Sequence, residues 1–464
     1  GAPKTNDYGA PVSRLNTLLP WVDHIKEIGC TALYIGPLFE SVGHGYETTD
    51  YKKLDSRLGT NEDLTNFVAA CHKKGIRVIF DGVFNHTGRD FFAFKDIQEH
   101  RERSRYVNWY CNVNFCGNTE YNDGFSYENW GGYNLLVKLN QRNPEVQNYI
   151  CDVIRFWVSE FDIDGIRLDV AYSLPRWFMA MLKDHCRQKK ADFFLLGEVL
   201  GDNAGYMFSE AHLDSITDYP GFKGLWSSFN SLNMFEMAHT IKRNYGEMYR
   251  GQTLFSFVDN HDVERIASKL TDLEKLPLIY GMLFSLPGIP CIYYGSEWGQ
   301  TGKKEQESDD SLRPEFTKPM PNDLTKYIQV TQNCGTKNGC WAKGTKPQKN
   351  SGESYNFYTS HAQAKAILLD GATIAIMSYN TRNVGGNCLS KFDSGTTDAD
   401  GNPIYNYSNQ CGLIFFDTNG EKGPNQYGAD TFSFIINPDK IIQYQGDFYD
   451  AITGNTLNYE MITK

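Results

Sequence analysis

The feature that most constrains this chain is an alternation of helix pattern and short apolar strand that recurs from residue 14 to residue 294. Residues 14–28 carry apolar side chains at helical spacing and stop at Gly29, and residues 31–38 then read as a strand. Residues 61–74 form a second helix pattern ending at Gly75, followed by a strand at 77–83, and residues 149–160 form a third before a strand at Ile166. Further strands are legible at 193–199, 215–219, 253–258 and 289–294. Such alternation predicts a parallel sheet. Seven strands of this kind call for an eighth, and the expected fold class is α/β, a closed (β/α)₈ TIM barrel. The eighth strand should precede the helix at Arg14, yet residues 1–13 are polar and rich in Gly and Pro. The first strand is therefore expected to be missing or to be supplied by another segment.

Two stretches break the alternation. Residues 86–148 separate the third and fourth strands and hold Trp109, Tyr110, Trp130 and Tyr133; excursions of this length are usually functional. After Leu312 the pattern fades into Gly, Asn, Thr and Ser, with short alternating segments at 366–369, 373–377 and 431–436, which predicts an all-β sandwich. The expected division is a barrel over 1–85 and 149–335, an insertion over 86–148, and a C-terminal sandwich over 336–464. A chain of 464 residues is longer than one core normally serves, which agrees.

Charge limits the partners. A net charge of -11 with no run of Lys or Arg argues against nucleic acid and anionic membrane surfaces. No apolar stretch reaches the ~18 residues needed to span a bilayer, and the first residues, Gly-Ala-Pro-Lys, lack signal-peptide character. A neutral or small polar substrate and a monomer are expected. Of the eleven cysteines, Cys30, Cys71, Cys151, Cys186 and Cys291 sit in apolar segments and read as buried thiols. The other six lie in polar loops. Pairing of Cys111 with Cys116, Cys334 with Cys340 and Cys388 with Cys411 is expected, which would mean an oxidising, extracellular or cell-surface setting. None has the spacing of a zinc site.

In a βα barrel the reacting groups come from the carboxyl ends of different strands. There this sequence has Asp81, Asn85 and His86, then Arg167 and Asp169, then Glu198, then Asp259, Asn260, His261 and Asp262. Arg167 and Asp169 are two apart on a strand and so share a face. Alone they read equally as a buried ion pair serving stability. Three carboxylates at successive strand ends favour acid, base or nucleophile chemistry instead.

These residues resemble the α-amylase family of glycoside hydrolases. The matching blocks are Asp81-Gly-Val-Phe-Asn85-His86, Gly165-Ile-Arg167-Leu-Asp169, Gly197-Glu198-Val and Phe257-Val-Asp-Asn-His261-Asp262, in the family's order; Gly45-Tyr46 and the run from Gly288 to Gly295 also fit. The resemblance covers residues 31–314. It implies Asp169 as nucleophile, Glu198 as general acid and base, and Asp262 as the residue that holds sugar hydroxyls in the transition state. It also implies substrate-binding roles for Tyr46, Asp81, His86, Arg167 and His261, each of which could otherwise be core packing. Asp309 and Arg313 resemble the pair that grips the next sugar, and equally fit a surface salt bridge. The 28 Tyr and 8 Trp suit stacking on sugars or simply a large core.

The resemblance implies retaining hydrolysis of α-1,4-linked glucose polymers or oligomers, with an exo-acting α-glucosidase or a transglycosylase as the alternative, and an inactive interaction module as the alternative of another class. No organic cofactor is implied. Two departures stand out. Tyr172 and Ser173 replace the Lys and His of starch-cleaving α-amylases, and Lys138 replaces an Asp of calcium-binding members, so no calcium is expected near Asn85. The Lys form resembles the cyclomaltodextrinase and neopullulanase branch, although the N-terminal domain added in that branch is not expected here.

Overall fold

A computed structural model describes residues 9–201, 203–305, 308–322 and 324–325, and farther along the backbone of strands between 366 and 461. The chain divides into two compact units, one of Gly1–Gly224, Phe235–Phe257 and Lys304–Pro319, the other of Leu225–Met234, Val258–Lys303 and Met320–Lys464.

The first unit is a half-barrel of parallel strands in chain order. Strands β1 (Ala32–Ile35), β4 (Arg77–Gly82), β8 (Gly165–Leu168), β9 (Phe194–Gly197), β10 (Ser215–Thr217) and β11 (Thr253–Phe257) each pair with the next. Between β1 and β4 lies the antiparallel hairpin β2 (Phe39–Ser41) with β3 (Thr48–Leu54). Between β4 and β8 lies an antiparallel sheet of β5 (His86–Thr87), β6 (Asn129–Trp130) and β7 (Tyr133–Lys138), in the order β5-β7-β6. No strand precedes β1 among the described residues.

Local chemistry explains the element ends. The helix expected over 14–28 is split into a 3₁₀ turn, Arg14–Leu18, and α1, Leu19–Glu27, because Pro20 brings no N–H and fits only a first helical turn. Helix α2 (Asn61–Lys73) opens on a capping box in which Thr60 and Asp63 satisfy each other's backbone N–H. After α3 (Phe92–His100) comes α4 (Pro144–Phe161), where the Asn143 side chain accepts from the Glu145 N–H at 2.8 Å. It starts five residues earlier than the apolar periodicity alone predicts, because its first turn is polar and capped. Gly165 opens β8 where a Cβ would meet the Phe194 carbonyl at 2.6 Å, so only glycine allows these strands to pair.

Helix α4 is fixed by Trp157, wholly buried, which stacks on Phe39 at 4.7 Å and on Phe84 at 5.6 Å and donates its indole N–H to the Tyr51 carbonyl at 2.7 Å. Loss of a ring packed this way costs about 3–5 kcal/mol. The effect is to lock the strand carrying Asp81 against the helix that leads into Arg167.

In the second unit β12 (Ile289–Cys291) follows a nearly wholly buried apolar helix, Leu276–Ser285. Farther on, Ala366–Leu369 pairs with Ala372–Ala375, Met377–Tyr379 with Gly412–Ile414, Ser390–Thr397 with Pro403–Ser408, and Tyr444–Tyr449 with Thr456–Met461, all antiparallel.

One expectation is corrected within the first unit. Cys111 and Cys116 are not bridged: both are thiols, and Cys111 directs its S–H at the Leu139 carbonyl, 3.5 Å away. Cys111 sits against β7 while Cys116 is exposed, so the short loop between them does not bring the sulfurs together. Cys334, Cys340, Cys388 and Cys411 lie outside the described residues.

Candidate active site

The register of the parallel strands builds the site. Asp81 and Arg167 are direct partners on β4 and β8, and Leu168 pairs with Gly197, so Asp169 and Glu198 emerge side by side just past the strand ends. Their backbones continue the ladder: Asp169 N–H donates to Gly82 O at 3.2 Å and Glu198 N–H to Leu168 O at 3.0 Å. All four side chains are buried, with exposures of 3% for Asp81 and Arg167, 5% for Asp169 and 6% for Glu198. Buried charges on this scale persist only when paired.

Arg167 is the hub. Its Nη1 donates to Asp81 Oδ1 at 2.9 Å and to Asp169 Oδ1 at 2.8 Å, and its Nη2 lies 3.1 Å from Glu198 Oε1. The other Glu198 oxygen accepts the Val170 N–H at 2.7 Å. Val170 presents that N–H from a left-handed conformation, φ 41°, which a β-branched residue adopts only under constraint. One guanidinium thus serves three carboxyl groups. Burial pushes Asp81 and Asp169 upward against the pull of Arg167, and for Asp169 the charges of Asp81 and Glu198 add to the rise.

Asp81 has two further donors, Tyr34 Oη at 2.9 Å and Tyr46 Oη at 3.3 Å. Burial raises both phenols well above their ordinary range, so they remain donors. Tyr34 was missed in the sequence; the signal available was its place on the inward period of β1, next to β4. His44 was missed as well. Arg313 donates from Nη1 to His44 Nε2 at 3.0 Å and from Nη2 to Asp309 Oδ2 at 3.0 Å, and the His44 ring lies 5.6 Å from that of Tyr46. Asp309 and Arg313 are therefore tied to the loop carrying Tyr46 and are more than a surface pair.

His86 and the residues around it form a second cluster. Lys138, cross-strand from His86 in the β5–β7 ladder, donates to Asn85 Oδ1 and to the Ser173 carbonyl at 3.1 Å. Asn85 Nδ2 lies 3.1 Å from His86 Nδ1. Burial, with Lys138 nearby, pushes His86 down to about 3, so its ring is neutral at ordinary pH. The Trp130 ring lies 6.0 Å from His86 and stacks on Tyr133 at 6.4 Å, and Trp130 is a neighbour of Tyr172. Glu198 and Asp169 both act on Tyr172, after burial, to raise it. An aromatic rim therefore stands beside the carboxyl cluster. The Lys138 ammonium thus occupies the space between the Asn85 side-chain oxygen and the Ser173 carbonyl.

His261 and Asp262 belong to the second unit. His261 Nε2 lies 3.2 Å from Asp262 Oδ2, and Asn260 Oδ1 accepts from the N–H groups of Asp262 at 2.8 Å and Val263 at 3.2 Å. Asp259 anchors this turn, accepting from Ser296 Oγ at 2.6 Å and the Ile266 N–H at 2.7 Å.

Comparison with known proteins finds that residues 12–327 match the family model described as alpha amylase, catalytic domain. The maltogenic alpha-amylase of Bacillus acidopullulyticus is 30% identical over 372 residues, covering 76% of this chain and 62% of that protein. A cyclomaltodextrinase of Thermoanaerobacter pseudethanolicus is 33% identical over 301 residues, covering 62% and 51%. A protein of Bacillus subtilis named intracellular maltogenic amylase is 28% identical over 309 residues, covering 65% and 51%. The chain thus spans from about half to under two thirds of the length of these relatives. In fold it is similar to the cyclic α-maltosyl-(1→6)-maltose hydrolase of Arthrobacter globiformis, with a TM-score of 0.66 and 24% identity over 89% of this chain and 92% of that one.

Proposed function

We propose that this chain, which belongs to the α-amylase family of glycoside hydrolases, hydrolyses α-1,4-glucosidic bonds in maltodextrins or maltooligosaccharides with retention of configuration. The observation that carries the reading is the Arg167 hub, which holds Asp169 and Glu198 on its two terminal nitrogens. Retention needs two carboxyl groups about 5 Å apart, whereas inversion needs about 6.5–9.5 Å to admit a water. Two groups gathered on one guanidinium favour the closer spacing.

Asp169 is the nucleophile, attacking the anomeric carbon as the leaving oxygen takes the Glu198 proton. Glu198, its proton gone, then draws one from the water that releases the sugar from Asp169. With one cation for three buried carboxyl groups the cluster keeps a proton, which the first step requires. His86 and Tyr46 serve the sugar's hydroxyls and ring, and Asp262 and His261 take the sugar-holding roles that the family pattern gives them. The half-barrel is completed as a (β/α)₈ barrel and the C-terminal strand pairs as a β-sandwich.

Tyr172 and Ser173, in place of a Lys-His pair, leave the leaving-group side to uncharged groups, with Trp130 beside them, which favours short oligomers over extended starch chains. Lys138 stands in for calcium. The thiols at Cys111 and Cys116, together with a relative named intracellular, favour a reducing setting over the extracellular one that the loop cysteines imply.

The test is incubation with maltooligosaccharides of several lengths, with product sizing and proton NMR of fresh product. Short α-configured products support the proposal. Initial β-anomer would remove the double displacement, and no cleavage of any length would remove the activity.

A further inference from the structure

The contacts of Lys138 determine which nitrogen of His86 carries its proton. The Lys138 ammonium has no lone pair, so it can only donate toward the two oxygens it faces, Asn85 Oδ1 and Ser173 O. That fixes the Asn85 amide with its oxygen toward Lys138 and its NH₂ toward His86. An amide NH₂ also can only donate, so His86 Nδ1, 3.1 Å away, must offer a lone pair. A neutral imidazole with a lone pair on Nδ1 carries its hydrogen on Nε2. That Nε2 is buried and has no hydrogen-bond partner among the described residues.

We propose that Lys138 is a positioning residue that, through Asn85, holds His86 in the Nε2–H tautomer and so presents a hydrogen-bond donor to a bound sugar hydroxyl. The sugar rests on the function proposed above; the tautomer does not. Asn85 alone is an ambivalent partner, since its amide can turn and offer His86 either an acceptor or a donor at similar cost. Lys138 removes that choice. The cross-strand pairing of His86 with Lys138 places the lysine stem where its tip reaches Asn85. The second contact, to the Ser173 carbonyl, keeps the ammonium from swinging away.

The experiment uses the whole chain with ¹⁵N-labelled histidine, the His86 ring signals being assigned by their loss in His86→Gln. The parent should show Nε2 protonated and Nδ1 bare. Asn85→Asp retains an ionic partner for Lys138, so it keeps the fold, but a carboxylate can only accept; His86 should reverse to the Nδ1–H form. Lys138→Met should give a mixture of tautomers, and Lys138→Arg, still a pure donor, should restore the parent pattern. With maltotriose, kcat/KM should fall roughly tenfold or more in Asn85→Asp and Lys138→Met and recover in Lys138→Arg. An Nε2–H pattern unchanged in both Asn85→Asp and Lys138→Met overturns the proposal whatever the rates do. A reversed tautomer with unchanged turnover upholds the relay and instead removes His86 from the sugar contacts.

Discussion

Asp259 offers a quantitative check on the loop that carries His261 and Asp262. Its Oδ2 is satisfied by Ser296 and the Ile266 N–H, but its Oδ1 is buried without a partner, and Glu297 adds repulsion. Burial is the largest effect and Arg265 only partly opposes it, so the carboxyl is pushed up from 3.8 to about 6. The folded chain therefore holds this proton over a pH range in which the unfolded chain has lost it. Stability from this group is present in full below pH 3.8 and is lost as pH rises through about 6. At about 1.4 kcal/mol per pH unit the whole effect is about 3 kcal/mol, of which about 2–3 kcal/mol falls between pH 4 and pH 7. Asp259→Asn is nearly isosteric and does not titrate. Urea unfolding of parent and variant at several pH values should give free energies that diverge by that amount, the variant gaining as pH rises, while every other group cancels in the difference. Parallel curves would show that Asp259 is either ionised when folded or solvated by groups beyond those described here.

Asp169→Asn and Glu198→Gln should each lower turnover of maltotetraose by roughly 100-fold or more with an unchanged circular dichroism spectrum; near-parent rates in either would end the assignment of that residue. EDTA should leave both hydrolysis and the melting temperature unchanged, because a unit charge at ~4 Å from the Lys138 ammonium meets about 4 kcal/mol of repulsion at an effective dielectric near 20. A loss of both, restored by calcium and not by magnesium, would show that an ion is held after all.

All seven strands legible as apolar runs are present, each within a few residues of its expected span; the central ones, β4, β8 and β9, are the most legible because a strand buried on both faces must be apolar throughout. The ends were less legible, since they depend on single events: Pro37 denies β1 a donor beyond Ile35, and Pro20 restarts a helix. Asp81, Arg167, Asp169 and Glu198 could be brought together from sequence alone because a parallel sheet in chain order makes strand ends neighbours. His44 could not, because its role comes from a contact across 269 residues of chain, for which a single sequence carries no periodic signal; Tyr34 stands on a legible strand, but the period does not name Asp81 as its partner. The cysteine reading failed for a related reason. Polarity of a loop says that a cysteine is near solvent, and says nothing of whether a second sulfur can reach it.

The positions at which this chain departs from the starch-cleaving pattern are not independent of one another. Lys138 holds the Ser173 carbonyl and the Asn85 amide; Asn85 holds His86; the His86 ring faces Trp130; and Trp130 neighbours Tyr172, the residue before Ser173. The contacts close into a ring that runs from the insertion strands to the end of β8 and back. A carboxylate at 138 would turn the Asn85 amide and expel the Ser173 carbonyl unless a cation came with it, and a Lys at 172 would bring an ammonium in beside Trp130. The substitutions at 138, 172 and 173 therefore act as one physical change, from a shell built on an ion to one built on a fixed ammonium and an aromatic rim. Restoring any one of them singly should cost more than restoring all three.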